Sequence, residues 1–251
     1  METYRDLIVA LAYENQGEYR KVMDALTAQA HIDITPENTS EQAITLLDEN
    51  YPNAFIHAPH PPVAMFYQGN TELLNKDKKH IGFIDDFTQA DTQEGIYNRE
   101  LIIDTLNNAH TCVLKHEIGK DNKTLEALKK RPEIAIILIC NRGIDLNDNA
   151  VKYVLENNGL VLSSAPTTLT EPTFYSSDYA ELMLAYLSDL VYVNEINYCG
   201  FGSLYYSTNR DIPVATSPYS NFKALRYNNE LIKQGCEVIL NSLDFDNLLL
   251  H

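Results

Sequence analysis

Cationic residues are scarce in this chain. Its 251 residues hold 19 Lys and Arg against 35 Asp and Glu, a formal net charge of −16 at pH 7. Affinity for phosphates comes mostly from Lys and Arg displacing counterions, so this balance opposes long-range attraction to nucleic acid. A local basic patch would work against the field of the whole molecule. No apolar run approaches the roughly 18–20 residues needed to span a bilayer. The chain opens with Met1-Glu2 and lacks a basic region followed by an apolar stretch, which argues against a signal peptide. Cysteine is sparse as well. Cys112, Cys140, Cys199 and Cys236 lie far apart and form no C-x-x-C, so free thiols in a reducing cytoplasm are expected rather than a disulfide framework. The loops of common catalysts are missing too: there is no G-x-S-x-G elbow and no Walker loop with its Gly-Lys-Ser/Thr. His57 and His60 stand three apart, but Pro59 and Pro61 bar a helical metal face and no cysteine pair completes a zinc site. The expectation is a protein that is not an enzyme, with no cofactor and no metal.

What is present is an ordinary globular composition, 45% hydrophobic and 22% charged, long enough for one main domain and a small extra one. Leu7, Ile8, Leu11, Tyr19, Val22, Met23 and Leu26 suit one or two amphipathic helices broken near Gly17. Thr39-Ser40-Glu41-Gln42 reads as a capping box before a helix at Ala43–Leu47. Residues 1–50 are therefore read as a small helical domain, and the Pro-rich stretch over 51–78 as a connector. From residue 79 short β-rich runs alternate with helix-length segments. The runs are Ile81–Ile84, Thr111–Leu114, Ile134–Cys140, Leu160–Ser163, Leu190–Val193, Ile212–Ala215 and Glu237–Leu240, with helices expected at 94–109, 121–130, 147–158, 178–187 and 223–234. Val- and Ile-rich runs without alternation suit strands buried on both faces. Strand–helix alternation implies a parallel sheet. The expected fold is α/β: a Rossmann-like, mostly parallel sheet with helices on both faces over 79–251, preceded by the small helical domain.

The order of motifs is more specific than any one of them. Tyr51-Pro52 is followed by Pro61-Pro62-Val63, Phe66-Tyr67, Gly69-Asn70 and Leu73-Leu74. Further on come Gly159-Leu160-Val161-Leu162-Ser163, Leu187-Ser188-Asp189, Gly202-Ser203-Leu204, Asn229-Glu230-Leu231-Ile232 with Gly235, and Ser242-Leu243-Asp244. From residue 51 onward this series resembles the DprA/Smf family of DNA-processing proteins. The resemblance implies a cytoplasmic, non-enzymatic protein that binds single-stranded DNA, helps load a RecA-type recombinase during transformation, and forms a homodimer through its Rossmann-like domain.

The chain departs from the family where phosphates should be held. After the first strand the family has Gly and Arg; here Asp85-Asp86-Phe87 stands, read as an acidic loop or helix N-cap that repels phosphate. After the second strand Gly119 and Asp121 remain in register, but Thr124 stands nearest the family's His. The family's Arg-Asn-Arg is replaced by Ala180-Glu181-Leu182, and no Arg stands between Arg142 and Arg210, which removes bidentate phosphate forks. The loop of the related cytokinin-activating LOG proteins is also absent. The remaining phosphate or nucleic-acid candidates are Lys115, Gly119, Lys120 and Lys123 in the most basic stretch, Gly202 and Ser203, and Arg210, Lys223 and Arg226 among the aromatics of 198–227. Those aromatics suit base stacking, or equally a sheet edge or a dimer interface. Two other readings stay open: an acidic protein-interaction module that has lost DNA binding, and a small-nucleotide sensor with its ligand at the strand ends.

Overall fold

The computed structural model describes residues 4–28, 34–75, 77–85, 92–117, 119–196, 201–220 and 227–250. Nine strands form one mixed sheet: β1 (Ala43–Thr45), β2 (Ala64–Gly69), β3 (Lys79–Ile84), β4 (His110–His116), β5 (Ala135–Cys140), β6 (Leu160–Ser163), β7 (Leu190–Val193), β8 (Val214–Thr216) and β9 (Glu237–Val238). Their order is β1-β2-β6-β5-β4-β3-β7-β8-β9. The fold is α/β and Rossmann-like. The chain divides into two compact units, Met1–Asn75 with Leu138–Ala180, and Lys76–Ile137 with Glu181–His251.

In the first unit, helices α1 (Tyr4–Glu14) and α2 (Tyr19–Thr27) follow the expected amphipathic pattern. The turn between them holds Gln16 and Gly17 at positive φ, and the Gly17 N–H reaches back to the Ala12 carbonyl at 2.7 Å. Ile8, Leu11 and Val22 pack on Ala43, Val63 and Phe66. The helix read at Ala43–Leu47 is instead β1, paired antiparallel with β2 through Ile44 and Met65. The helix lies earlier, α3 (Pro36–Thr39), started by Thr35, Pro at its first turn, and a reciprocal bond with Asn38. Glu41, read as part of the cap, accepts instead from the Thr167 N–H at 3.0 Å and its hydroxyl at 2.6 Å. So the segments read as helical domain and connector each supply a strand.

The Gly-Asn of the first motif has a physical role here. Gly69 has φ +98°, and a Cβ there would lie 2.2 Å from the Gly159 carbonyl oxygen. Asn70 donates its N–H to that same carbonyl at 3.0 Å, and its side chain accepts from the Glu72 N–H. Antiparallel pairing of β2 with β6 is thereby fixed at its end. Helix α6 (Asn149–Glu156) is capped by Asp148 and precedes β6.

In the second unit β3 pairs parallel with β4 on one side and β7 on the other, followed by β8 and β9. The expected runs at Leu160–Ser163 and Leu190–Val193 match β6 and β7 residue for residue. Ile212–Ala215 shifts to β8 at Val214–Thr216, because Pro213 lacks an N–H and bonds only through its carbonyl, to Val191. Tyr192 is fully buried and meets Phe83 and Phe245 edge-on at 5.9 and 6.2 Å. Phe245 belongs to α10 (Ser242–Leu249), and this triple aromatic contact ties that helix beneath β3 and β7. The unit also contains α4 (Gln93–Thr105), α5 (Lys123–Leu128), α8 (Gly202–Asn209) and α9 (Asn228–Lys233). Helix α7 (Phe174–Leu187) begins earlier than the expected residue 178. Cys112 and Cys140 are buried free thiols and Cys236 is half-buried; burial pushes the Cys140 thiol up to about 12. Cys199 lies outside the described residues. Among those residues, no helix is long and apolar enough to cross a membrane.

Candidate functional site

Strands β3, β4 and β7 run parallel, so their C-terminal ends share one edge of the second unit. Chain order proceeds from β3 to one side and returns to the other with β7. That is a topological switch point, the place where open α/β sheets hold ligands. Asp85 follows β3 there, Lys115 and His116 end β4, and Asn194 and Glu195 follow β7.

Asp85 is not the acidic loop or N-cap its sequence position suggested. It is 3% exposed and ion-paired to Arg99 of α4 at 3.2 Å. Its Oδ1 also accepts from Asn194 Nδ2 at 2.9 Å, and its Oδ2 from the Thr124 hydroxyl. Tyr219 donates to the Asn194 carbonyl at 3.0 Å, and burial pushes its phenol pKa up, keeping it a donor. A buried carboxylate with this many donors is a structural node, not a phosphate repellent facing solvent.

Lys115 sits beside it with a side chain 11% exposed, bound to Glu181 and, at 3.0 Å, to Glu117. Burial works to lower the Lys115 pKa, but the Glu181 and Glu117 carboxylates outweigh it and raise the value above the ordinary lysine range. Burial likewise works to raise Glu117, and Lys115 with Lys120 holds it below the usual carboxylate range. Glu181 reaches further. Helix α8 begins at an N-cap, Phe201, whose side chain accepts no hydrogen bond. Glu181 Oε2 takes that role, accepting from the Ser203 N–H at 3.1 Å and from its hydroxyl. Gly202 permits the approach, since a Cβ there would lie 3.0 Å from Glu181 Cβ.

Helix α4 is capped differently, by Thr92 itself, whose hydroxyl accepts from the Gly95 N–H at 3.0 Å. Glu195 Oε2 accepts from the Thr92 N–H at the helix start at 3.1 Å. A Cβ on Gly95 would lie 2.0 Å from that oxygen, so a side chain there would displace the Glu195 carboxylate. Glu94 in the same turn accepts from the Ser220 N–H at 3.1 Å and from its hydroxyl.

Of the candidates read from the sequence, Lys115, Gly202 and Ser203 converge around Glu181, and Lys120 joins them through its pair with Glu117. Gly119 has φ +68° with open space around it. Lys123 is half-buried in the first turn of α5. Lys223 and Arg226 lie outside the described residues. Arg210 ends α8, its Nη1 donating to the Tyr186 carbonyl at 2.7 Å and its guanidinium lying 4.9 Å from the Tyr186 ring. Tyr186 meets Tyr206 edge-on at 6.4 Å, and Tyr206 meets Tyr205 at 5.4 Å. Tyr205 is 66% exposed. Phe201 and Tyr219 from the same aromatic stretch are buried instead. Asp85 and Glu181 were visible in the sequence only as departures, and Asn194 and Glu195 only as the end of the motif that begins at Leu187; Arg99 carried no signal. Among the described residues no cluster of His, Cys, Asp or Glu is arranged to hold a metal.

No family profile matches the sequence. No curated protein matches it either. Solved structures do. The structure of DNA processing protein A from Streptococcus pneumoniae superposes with a TM-score of 0.72 over 98% of this chain and 93% of that one, at 22% identity. DNA processing protein A from Helicobacter pylori, described for its single-stranded DNA binding mode, gives 0.68 over 84% of this chain and 96% of that one, at 23% identity. The chain is thus DprA-like in fold over nearly its whole length, as the order of its motifs implied.

Proposed function

We propose that this chain is a DprA-like DNA-processing protein that binds single-stranded DNA through the exposed aromatic edge of α8. The observation that carries this reading is the pair Tyr205 and Tyr206, exposed at Tyr205 and half-buried at Tyr206, backed by the buried Tyr186 of α7, on which the Arg210 guanidinium lies. Unpaired bases stack on such rings whatever their identity, at about 1–3 kcal/mol per base. Among the described residues no carboxylate is bound to Arg210, which leaves its charge for a phosphate. The likeness to the H. pylori protein supports the same ligand class. In this reading the protein acts by binding rather than catalysis, works as a homodimer, and passes the strand to a RecA-type recombinase.

The test is fluorescence anisotropy of a labelled oligo-dT strand over a salt series. Tyr205→Ala should weaken binding by about 5- to 150-fold, the equivalent of one lost stack. Arg210→Ala should reduce the salt slope by about 0.7, one phosphate's worth on a single strand. Absence of binding by the wild type at every salt concentration would overturn the reading.

One observation favours the second reading, an acidic protein-interaction module. Lys115 and Lys120, candidates for holding a phosphate at the strand ends, are held by Glu181 and Glu117. Capture of the recombinase without DNA, and unchanged by Tyr205→Ala, would select it. A nucleotide sensor is disfavoured by those same carboxylates, which stand where its phosphates would sit.

A further inference from the structure

Strand β1 ends the sheet, paired with β2 on one side. Tyr67 of β2 donates its N–H to the Gln42 carbonyl, and Leu46 donates to the Val63 carbonyl. Gln42, Ile44 and Leu46 therefore turn their backbone groups toward β2, and Ala43 and Thr45, which alternate with them, turn theirs outward. Outward groups on an edge strand are a template for a further strand. Here they are already taken. Arg5, in the first turn of α1, donates from Nη2 to the Ala43 carbonyl at 2.6 Å. Asp48 Oδ2 accepts from the Thr45 N–H at 2.7 Å, and the Asp48 N–H donates to the Thr45 carbonyl at 2.9 Å. Arg5 Nε in turn donates to both Asp48 carboxylate oxygens, at 2.9 and 3.1 Å. Ala43 and Thr45 are accordingly 3% and 0% exposed, although they lie on an edge.

The two backbone groups that side chains hold are one acceptor and one donor, on either side of Ile44. That set is self-complementary. Across a two-fold axis at Ile44, the Thr45 N–H of each copy meets the Ala43 carbonyl of the other, which is antiparallel pairing. Leu46 and Leu47, 42% and 53% exposed, follow the strand and would add apolar contact. We propose that Arg5 and Asp48 guard this edge, imitating a neighbouring strand with one donor and one acceptor, and so keep β1 from pairing with β1 of a second copy of this chain. The contact is autoinhibitory and weak enough to open, because both side chains are partly exposed, at 43% and 22%, where ion pairs contribute little. It is independent of DNA binding, since none of its residues belongs to the aromatic edge of α8.

The experiment is sedimentation equilibrium over a concentration series, with amide hydrogen exchange read at Thr45. The proteins are the wild type, the double variant Arg5→Ala/Asp48→Ala, and that double variant with Thr45→Pro added. In the wild type Thr45 should be protected equally at every concentration. The double variant should associate about tenfold more tightly than the wild type, the equivalent of two net backbone hydrogen bonds across the axis. Its Thr45 amide should exchange fast when dilute and become protected as concentration rises. Thr45→Pro removes the outward N–H while sparing the bonds to β2, and should abolish the gain. Arg5→Ala/Asp48→Ser keeps a short acceptor that supports the turn, so it provides a milder folded variant and should show a smaller gain of the same kind. Unchanged mass in both double variants, with melting transitions intact, would overturn the proposal. So would a gain that survives Thr45→Pro or leaves Thr45 unprotected, since the copies would then meet elsewhere. A purely structural ion pair predicts lower stability in these variants and no new association.

Discussion

Replacing Arg99 with leucine would leave Asp85 buried without its counter-charge. Both side chains are almost wholly enclosed, 5% and 3% exposed, and their contact is 3.2 Å. After the change the carboxylate would keep only the Asn194 amide and the Thr124 hydroxyl, two neutral donors. Breaking a buried pair from one side typically costs about 3–5 kcal/mol, because the surviving charge stays desolvated. For a chain of this size that corresponds to a fall of roughly 6–20 °C in the melting midpoint. Differential scanning calorimetry measures it directly. The double variant Asp85→Leu/Arg99→Leu completes the test, because removing both charges together removes the stranded one, so the double change should cost less than the sum of the single changes. A fall of under about 1 kcal/mol for Arg99→Leu, or strict additivity in the cycle, would refute the view that Asp85 is a buried node.

Two further perturbations probe each unit separately. Tyr51 donates its hydroxyl to the Pro62 carbonyl at 2.8 Å in a buried setting, so Tyr51→Phe should cost about 1–3 kcal/mol in urea titration by leaving that carbonyl unpaired. His110 is buried, and burial lowers its pKa despite opposing help from Asn107 and Asp246. The unfolded chain then takes up the proton more readily than the native one, so this contribution is whole above the ordinary histidine value of about 6.5 and lost as pH falls through the lower native value. The acid-side loss of melting temperature should be smaller in His110→Asn than in the wild type.

The strands were legible where pattern and burial coincide. Leu160–Ser163 and Leu190–Val193 are apolar runs enclosed on both faces, so the local sequence holds all the necessary information. Ala43–Thr45 was not legible, because the Ser/Thr and Glu before it imitate a helix start, while the real determinant is pairing with Ala64–Phe66, some twenty residues on. The site shows the same division. Asp85 and Glu181 stood out as acidic residues where the resembled family has other side chains. That each finds a cation, Arg99 and Lys115, depends on contacts across 14 and 66 residues, which no spacing rule reaches. Sequence could show that the phosphate chemistry was altered. Only the fold shows that each change comes with its own compensation.

That compensation extends over the surface and has a consequence for salt. The stretch that reads as most basic, residues 115–131, is largely neutralised: Lys120 by Glu117, Lys129 by Glu126, Lys130 by Glu100, and Arg131 by Glu133 and Asp104. A DNA strand therefore approaches a molecule whose field repels it, with a net charge of −16. At about 0.01 M salt the repulsion reaches some 30 Å, and at 0.1 M about 10 Å. Stacking on Tyr205 acts only at contact and is not screened. Attraction through Arg210 alone should give a slope near −0.7 for one phosphate. With the repulsion added, affinity for oligo-dT should be nearly flat with salt, or should rise as salt is first added. A steep fall of the kind given by a basic groove, with a slope beyond about −3, would mean that several phosphates are neutralised, and the stacking account would be wrong.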